Sequence, residues 1–279
     1  MQSMIHARRT LLALALSCFT ATAIAQAQPA AKQEFQPEVG QAGKDVVWVP
    51  TAQGLVDRML DMAKLTPKDI HYDLGSGDGR TVITAAKRGA TATGVEYNPD
   101  MVELSRRNAA KEGVTGKATF IHGDIFETDF SKATVITLFL LPELNVKLRP
   151  KILAMKPGTR VVSNSFTMGD WKADETQTAT NDCSSYCTAY LWIVPANVEG
   201  TWTEGKEELK FAQEFQMVHG SVGSGGKLAP VVNGRLRGDA ISFTAGNARY
   251  AGKVSGDRIE GTVTAGGKTA PWTAIRAKR

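Results

Sequence analysis

Between residues 45 and 195 the chain alternates between short apolar runs and segments whose apolar residues recur every three or four positions. Leu55, Val56, Met59, Met62 and Ala63 fall on one face of a predicted helix ending near Leu65, with Thr51 as its expected N-cap. Ile70 to Leu74 is then a short strand, and Thr81 to Arg88 a helix stopped by Gly89. Ala92 to Tyr97 is a second strand. Asn98-Pro99-Asp100 starts the next helix, with Asn as cap and Pro in the first turn, and that helix runs to about Lys111 before Gly113. Ala118 to His122 is a third strand, and Val135 to Leu140 a fourth, apolar almost throughout, as a strand buried on both faces should be. Glu143 to Met155 reads as helix, ended by Pro157-Gly158, and Arg160 to Phe166 as a fifth strand. Ala189 to Val194 adds a further strand, expected at an antiparallel edge. Strand–helix alternation of this kind predicts an α/β fold, a parallel sheet covered by helices on both sides.

The pattern changes near Pro195. Fourteen of the 27 glycines lie from Gly200 onward, and helical periodicity gives way to short alternating strands. Gly234 to Ile241 resembles Gly252 to Ile259, eighteen residues later, and each copy carries a Gly-Asp pair suited to a tight turn. Residues 197–279 are therefore expected to form a small antiparallel β meander or partial barrel. Trp202, Phe211, Phe215, Phe243, Tyr250 and Trp272 read as its packing. Residues 26–44, rich in Ala, Gln and Gly without periodicity, read as a linker.

Residues 1–25 have the pattern of a secretory signal peptide: His6, Arg8 and Arg9, an apolar run from Leu11 to Ile24, and Ala23-Ile24-Ala25 as a small-x-small cleavage site. The expected location is exported, in the periplasm. Removing that segment leaves 31 basic against 28 acidic residues, an excess too small to argue for nucleic acid, and no later run is long enough to span a membrane. Cys183 and Cys187 then remain, and in an oxidising compartment a local disulfide between them is expected rather than two free thiols. With no His pair beside them they do not suggest a metal site.

The informative stretch is Asp73-Leu74-Gly75-Ser76-Gly77-Asp78-Gly79-Arg80, which follows a strand and opens a helix. A glycine turn in that place lets backbone N–H groups approach a ligand closely. Arg80 stands where a dinucleotide fingerprint wants Gly, and Asp73 would repel a pyrophosphate but suits a cationic amine. Both features disfavour an NAD-dependent oxidoreductase. S-adenosylmethionine (SAM) carries an ammonium and a sulfonium. Glu96, at the end of the second strand, can accept both ribose hydroxyls. Asp124, after the third, can accept from the adenine amine, and Ile125 can pack on the ring. The residues expected to bind the cofactor are thus Asp73, Gly75, Ser76, Gly77, Asp78, Glu96, Asp124 and Ile125.

These motifs resemble those of the class I, Rossmann-like SAM-dependent methyltransferases. Val47-Trp48-Val49-Pro50-Thr51 and the stretch from Thr137 to Asn145 further resemble the seven-strand protein-lysine methyltransferases that act on the mitochondrial ATP synthase c-ring protein and the adenine nucleotide translocase, with their bacterial relatives. The likeness covers about residues 45–195; the C-terminal β region and the signal are not part of the mitochondrial pattern. The resemblance implies a doubly wound sheet, SAM as cofactor, a protein substrate, and transfer to an amine, in which alignment supplies most of the catalysis. Leu140 to Asn145 is the expected substrate-facing loop. Asn145 is the one catalytic candidate, against an ordinary exposed helix position. Trp48 is expected either beside SAM or in hydrophobic packing at the helix start. An exported SAM- or nucleoside-binding protein without transfer activity is the alternative reading.

Overall fold

A computed structural model describes residues 34–278; the expected signal peptide and the first part of the expected linker lie outside the described residues. Helix α1 (Gln53–Met62) precedes strand β1 (Ile70–Leu74), helix α2 (Arg80–Lys87) and strand β2 (Thr91–Glu96). Helix α3 (Pro99–Lys111), strands β3 (Ala118–His122) and β4 (Val135–Leu138), helix α4 (Pro142–Leu153) and strand β5 (Arg160–Asn164) follow. Strands β6 (Glu175–Thr178) and β7 (Thr188–Ile193) complete a seven-stranded sheet in the order β3-β2-β1-β4-β5-β7-β6. The first five strands pair in parallel, and β7 pairs antiparallel with both β5 and β6.

Side-chain alternation divides the sheet between two cores. Leu74, Ile136, Leu138 and Val161 pack with Leu148 and Ile152 of α4. Val135 and Val162 turn the other way, onto Leu55 and Met59 of α1, while α2 and α3 cover β2 and β3 on that side through Val82, Ala86, Val102 and Phe120. By the same parity His71, Asp73 and Thr137 belong to the α1 side.

Three local expectations need correction. The N-cap position of α1 is held by Ala52, without a side-chain cap. Thr51 is drawn away from capping because its hydroxyl accepts from the buried Asn164 amide at 3.2 Å. Strand β7 is antiparallel as expected but is not the edge; β6 pairs outside it. Its sequence, Glu-Thr-Gln-Thr, is half exposed and carries no apolar signal that periodicity could register. Finally, the end of the expected linker is structured: Gly40 N–H donates to Trp48 O at 2.8 Å, and Trp48 N–H donates to Gln41 O at 2.9 Å, closing a small hairpin. Elsewhere the sequence signal is met directly, as at α3, where Asn98 Oδ1 accepts from Asp100 N–H at 2.9 Å.

Strands β8 (Gly200–Glu204), β9 (Glu207–Glu214), β10 (Met217–Ser224), β11 (Lys227–Arg237), β12 (Ala240–Ala245), β13 (Ala248–Ser255), β14 (Arg258–Ala265) and β15 (Lys268–Arg276) form an up-and-down antiparallel barrel. Closure is complete, with Ile275 and Arg276 of β15 paired to Thr203 and Trp202 of β8. The repeated Gly-Asp pairs make two equivalent turns, between β11 and β12 and between β13 and β14, with Gly238 and Gly256 at φ +64° and +57°. An eight-stranded barrel leaves room only for side chains or one small ligand. Here Trp202, Phe211, Phe243, Tyr250 and Trp272 fill it, and Phe243 stacks on Tyr250 at 4.6 Å.

Phe215 is the exception among the expected barrel aromatics. It sits in the β9–β10 turn at φ +52° and stacks outward on Trp171, ring centres 5.9 Å apart. Around it, Gln216 Nε2 donates to Lys172 O at 2.8 Å, and Arg235 pairs at 2.7 Å with Asp174, whose side chain is fully buried. These contacts dock the barrel against the segment between β5 and β6. Phe215→Ala should cost about 2–4 kcal/mol in urea denaturation and speed proteolytic cleavage between Val194 and Gly200; an unchanged midpoint and cleavage rate would show that the dock does not depend on the ring.

Candidate functional site

The glycine turn after β1 is fixed by its neighbours rather than by its own side chains. Gly75 and Ser76 N–H both donate to Val95 O on β2, at 2.9 and 3.0 Å. Gly75, Gly77 and Gly79 take φ of +82°, +53° and +82°, a conformation that favours glycine. At Gly77 space matters as well: an added Cβ would lie 2.7 Å from Trp48 Nε1. The hairpin before α1 thus lays an indole across the turn. Asp78 faces the same cavity, but its carboxylate is gripped by Arg80, with Nη2 to Oδ2 at 2.6 Å, and Arg80 Nη1 also donates to Thr51 O at 3.0 Å. Arg80 therefore ties the turn and α2 to the segment that leads into α1.

Asp73, Glu96 and Asp124 stand at or just beyond the ends of β1, β2 and β3, three adjacent strands. With strands spaced about 4.8 Å apart, their tips span roughly 10 Å along the carboxyl edge. A cavity of about 400 Å³ opens there, lined by all eight residues expected to bind the cofactor: Asp73, Gly75, Ser76, Gly77, Asp78, Glu96, Asp124 and Ile125. Glu96 accepts from Gly77 N–H and Asn98 N–H, each at 2.9 Å, so its carboxylate is held by backbone on both oxygens. Asp124 accepts from Phe126 N–H at 2.8 Å and from Lys44 Nζ at 2.5 Å. The Lys44 ammonium and that N–H hold its carboxyl below the usual range. Lys44 also lies 4.7 Å from the Tyr97 ring centre.

Asp73 has the least ordinary environment. It is 7% exposed, and burial pushes its pKa up to about 7, helped by the neighbouring Glu96 and Asp78 carboxylates and opposed by the hydroxyl of Thr137. Thr137 Oγ1 donates to Asp73 Oδ1 at 2.6 Å and lies 2.8 Å from His71 Nε2. A hydroxyl has one proton to give. With Asp73 ionised, His71 must therefore carry its proton on Nε2 and donate to Thr137. Full burial drives the His71 pKa down to about 3, so the ring is neutral, and its Nδ1 is left without a partner. Sequence reasoning does not single out His71 and Thr137; the signal that could have found them is their place, with Asp73, on alternate positions of adjacent strands.

The other end of the cavity is apolar. Leu138, Phe139, Leu140, Leu141 and Leu144 from around the end of β4, with Phe166 after β5 and Tyr186 before β7, line it. Pro142 is the first residue of α4, a structural role. Asn145 is not among the lining residues, nor is it exposed. It is fully buried, and Nδ2 lies within 3.2–3.3 Å of Ser163 Oγ, Phe166 O and Thr167 O. Its helical position turns it toward β5, so it anchors the loop that carries Phe166 instead of reaching the cavity.

A family model described as the ANTKMT methyltransferase domain matches residues 73–175, from the first acidic residue of the site to the start of β6. A protein-lysine N-methyltransferase of Saccharolobus islandicus is 45% identical over 152 residues, which cover 53% of this chain and 94% of that protein. The chain belongs to the class I SAM-dependent methyltransferases. A solved structure described as an RNA methyltransferase from Salinibacter ruber, in complex with S-adenosyl-L-homocysteine, is 47% identical, with a TM-score of 0.50 over 54% of this chain and 96% of that one. The human lysine N-methyltransferase named for the C protein of the ATP synthase is 34% identical over 128 residues, and the match spans only 54% of its length.

SAM is the cofactor, and the residues present fit it. The cavity has the size of a nucleoside site, and acids of the kind a doubly cationic ligand needs line one side. The buried Ser76 hydroxyl in the glycine turn has no protein partner. Among the described residues no cluster of metal-ligating side chains occurs. A cation bound at Asp73 requires the carboxylate, which is ionised above about pH 7. SAM affinity measured by calorimetry should therefore rise between pH 5.5 and 7, by up to about tenfold per pH unit, and level off above. Asp73→Asn should abolish this slope and weaken binding; a flat profile in the unmodified methyltransferase would exclude Asp73 as the cation's partner.

Proposed function

We propose that the methyltransferase modifies the ε-amine of a protein lysine. The observation that carries this reading is the contrast between the two ends of the cavity. Acids occupy the cofactor end. The acceptor end, from Leu138 to Leu144 with Phe166 and Tyr186, has no ionisable side chain lining it other than the Tyr186 phenol. A lysine must lose its proton before its nitrogen can attack, and an apolar mouth favours the neutral amine by disfavouring its charged form. The curated relatives from Saccharolobus islandicus and human are both named as lysine methyltransferases, which supports the same acceptor.

The residue roles follow from position. Asp73 receives the amino-acid end of SAM, Glu96 the ribose hydroxyls, and Asp124 the adenine amine, with Ile125 against the ring. Lys44 is paired to Asp124 and must yield part of that carboxylate or share it. Trp48 closes over the turn. SAM supplies a methyl group on a sulfonium, which is already a good leaving group, so the protein's task is to align the acceptor and exclude water. The leucines around the end of β4 do both. The substrate ammonium gives its proton to solvent before transfer, and the product leaves as the methylated ammonium.

The Salinibacter ruber protein raises RNA as another acceptor. Charge argues against it here. The whole chain carries a formal net charge of only +5, and the two cations that line the cavity, Lys44 and Arg80, are each paired with a carboxylate. Phosphate contacts need unpaired cations. A binder without transfer activity would need the same cofactor residues; the relatives' names as methyltransferases favour transfer over binding alone. Export remains a further part of the proposal, supported by the pattern of residues 1–25 and by the Cys183–Cys187 disulfide.

Incubation of the full chain with methyl-labelled SAM and a cell-envelope extract, followed by mass spectrometry, should place label on protein lysine. Glu96→Ala should lower kcat/KM by about ten- to a hundredfold, the loss expected when a charged hydrogen-bonding partner of a ligand is removed. Label found on RNA, or on protein residues other than lysine, would overturn the proposal.

A further inference from the structure

Three aromatic rings meet at the acceptor end of the cavity. Phe139 follows β4, Phe166 follows β5 and Tyr186 precedes β7, and these three strands are neighbours in the sheet. Ring centres are 6.1 Å apart for Phe139–Phe166, 5.4 Å for Phe139–Tyr186 and 6.1 Å for Phe166–Tyr186, and all three side chains line the cavity. Tyr186 is 48% exposed and its backbone is left-handed, at φ +54°. A non-glycine residue holds that conformation only when its surroundings impose it. Here the constraint is covalent, since Tyr186 lies inside the loop closed by the Cys183–Cys187 disulfide. The approach to that loop is seated on α1, where a side chain at Gly54 would collide with the Asn181 carbonyl.

We propose that Phe139, Phe166 and Tyr186 form an aromatic wall that receives the acceptor nitrogen as it becomes cationic, and that the Cys183–Cys187 disulfide is the positioning element that keeps Tyr186 in it. This deepens the lysine reading and rests on it. In the transfer the nitrogen lone pair forms the C–N bond as the C–S bond breaks with its electrons going to sulfur. Positive charge thereby moves from sulfonium to nitrogen. Aromatic faces within about 6 Å attract such a cation, so the wall is more complementary to the charged product side of the reaction than to the neutral amine. A primary ammonium, with three N–H groups to strip of water, loses more on entering this apolar mouth than the rings return, whereas a methylated ammonium, with fewer N–H groups, gains most from the contact. The wall therefore binds a partly methylated lysine more tightly than an unmethylated one. The disulfide limits the conformations open to a short loop, which keeps an exposed tyrosine at the mouth without a packed core around it.

The test is NMR titration of the full chain, loaded with S-adenosylhomocysteine, with tetramethylammonium as probe and neopentyl alcohol as its neutral counterpart. Tetramethylammonium should shift the resonances of all three rings and bind at least about fivefold more tightly than the alcohol. Tyr186→Ala and the double variant Cys183→Ser/Cys187→Ser should each weaken cation binding at least threefold, Tyr186→Phe should retain it, and S-adenosylhomocysteine affinity should stay unchanged throughout. Equal binding of the neutral probe, or cation binding indifferent to Tyr186→Ala, overturns the wall. Binding indifferent to the cysteine variant overturns the positioning role. Methylation of poly-L-lysine by the unmodified chain is the separate arm: cation binding as expected without any lysine methylation would defeat the lysine reading and leave the wall standing.

Discussion

The site depends on a carboxyl group buried where burial is unfavourable to it. Asp73 sits at the end of β1, closed in by the sheet and facing two further acids, with the Thr137 hydroxyl as the nearest group that favours its ionised form. A carboxyl whose pKa is raised in the folded state contributes stability that is fully present below the ordinary carboxylate pKa and is lost as pH rises through about 7. At most about 4 kcal/mol is forfeited in this way. A bound cation offsets that loss. On the proposed assignment, the same placement that weakens the fold is what would make the cavity prefer a positively charged nucleoside, while the Thr137 hydroxyl, itself bonded to His71, holds one Asp73 oxygen in place.

Topology then arranges the rest in a line. Because β3, β2, β1, β4, β5 and β7 are consecutive in the sheet, the same edge presents Asp124, Glu96, Asp73, the leucines after β4, Phe166 and Tyr186 in that order. Charge declines and aromatic character rises along it. The barrel takes no part in this. It is docked on the β5–β6 segment through Phe215 and the Arg235–Asp174 pair, and its interior is filled by its own aromatics. The family match ends at residue 175, which agrees with a methyltransferase unit to which the barrel is an addition.

Much of this is legible in the sequence because the relevant signals are local. The glycine turn, the acids at strand ends and the Asn98-Pro99 helix start each rest on a few neighbouring residues, and the cavity brings all eight expected cofactor residues together. What escapes depends on contacts across the fold. Thr51 has the chemistry of a helix cap, but the buried Asn164 claims its hydroxyl. Strand β6 is polar and can be seen only through its pairing with β7. Phe215 matches the barrel's aromatic pattern but sits in a turn that faces outward. Lys44 and Tyr186 come from segments without periodicity, a hairpin and a disulfide loop, and nothing in their neighbours announces that they reach the cavity. Asn145 is a reasonable candidate by position and fails only because its helix turns it inward.

The charge state of Asp73 can be read directly. Carbon-13 NMR of its side-chain carboxyl, titrated from pH 4 to 9 without ligand and again with saturating S-adenosylhomocysteine, separates the empty from the occupied site. The expected midpoint is about 7 in the empty protein, falling into the ordinary carboxylate range once the ligand's ammonium is bound. An ordinary midpoint in the empty protein, or one that the ligand leaves in place, would contradict the view that a buried, cation-seeking carboxyl organises this site.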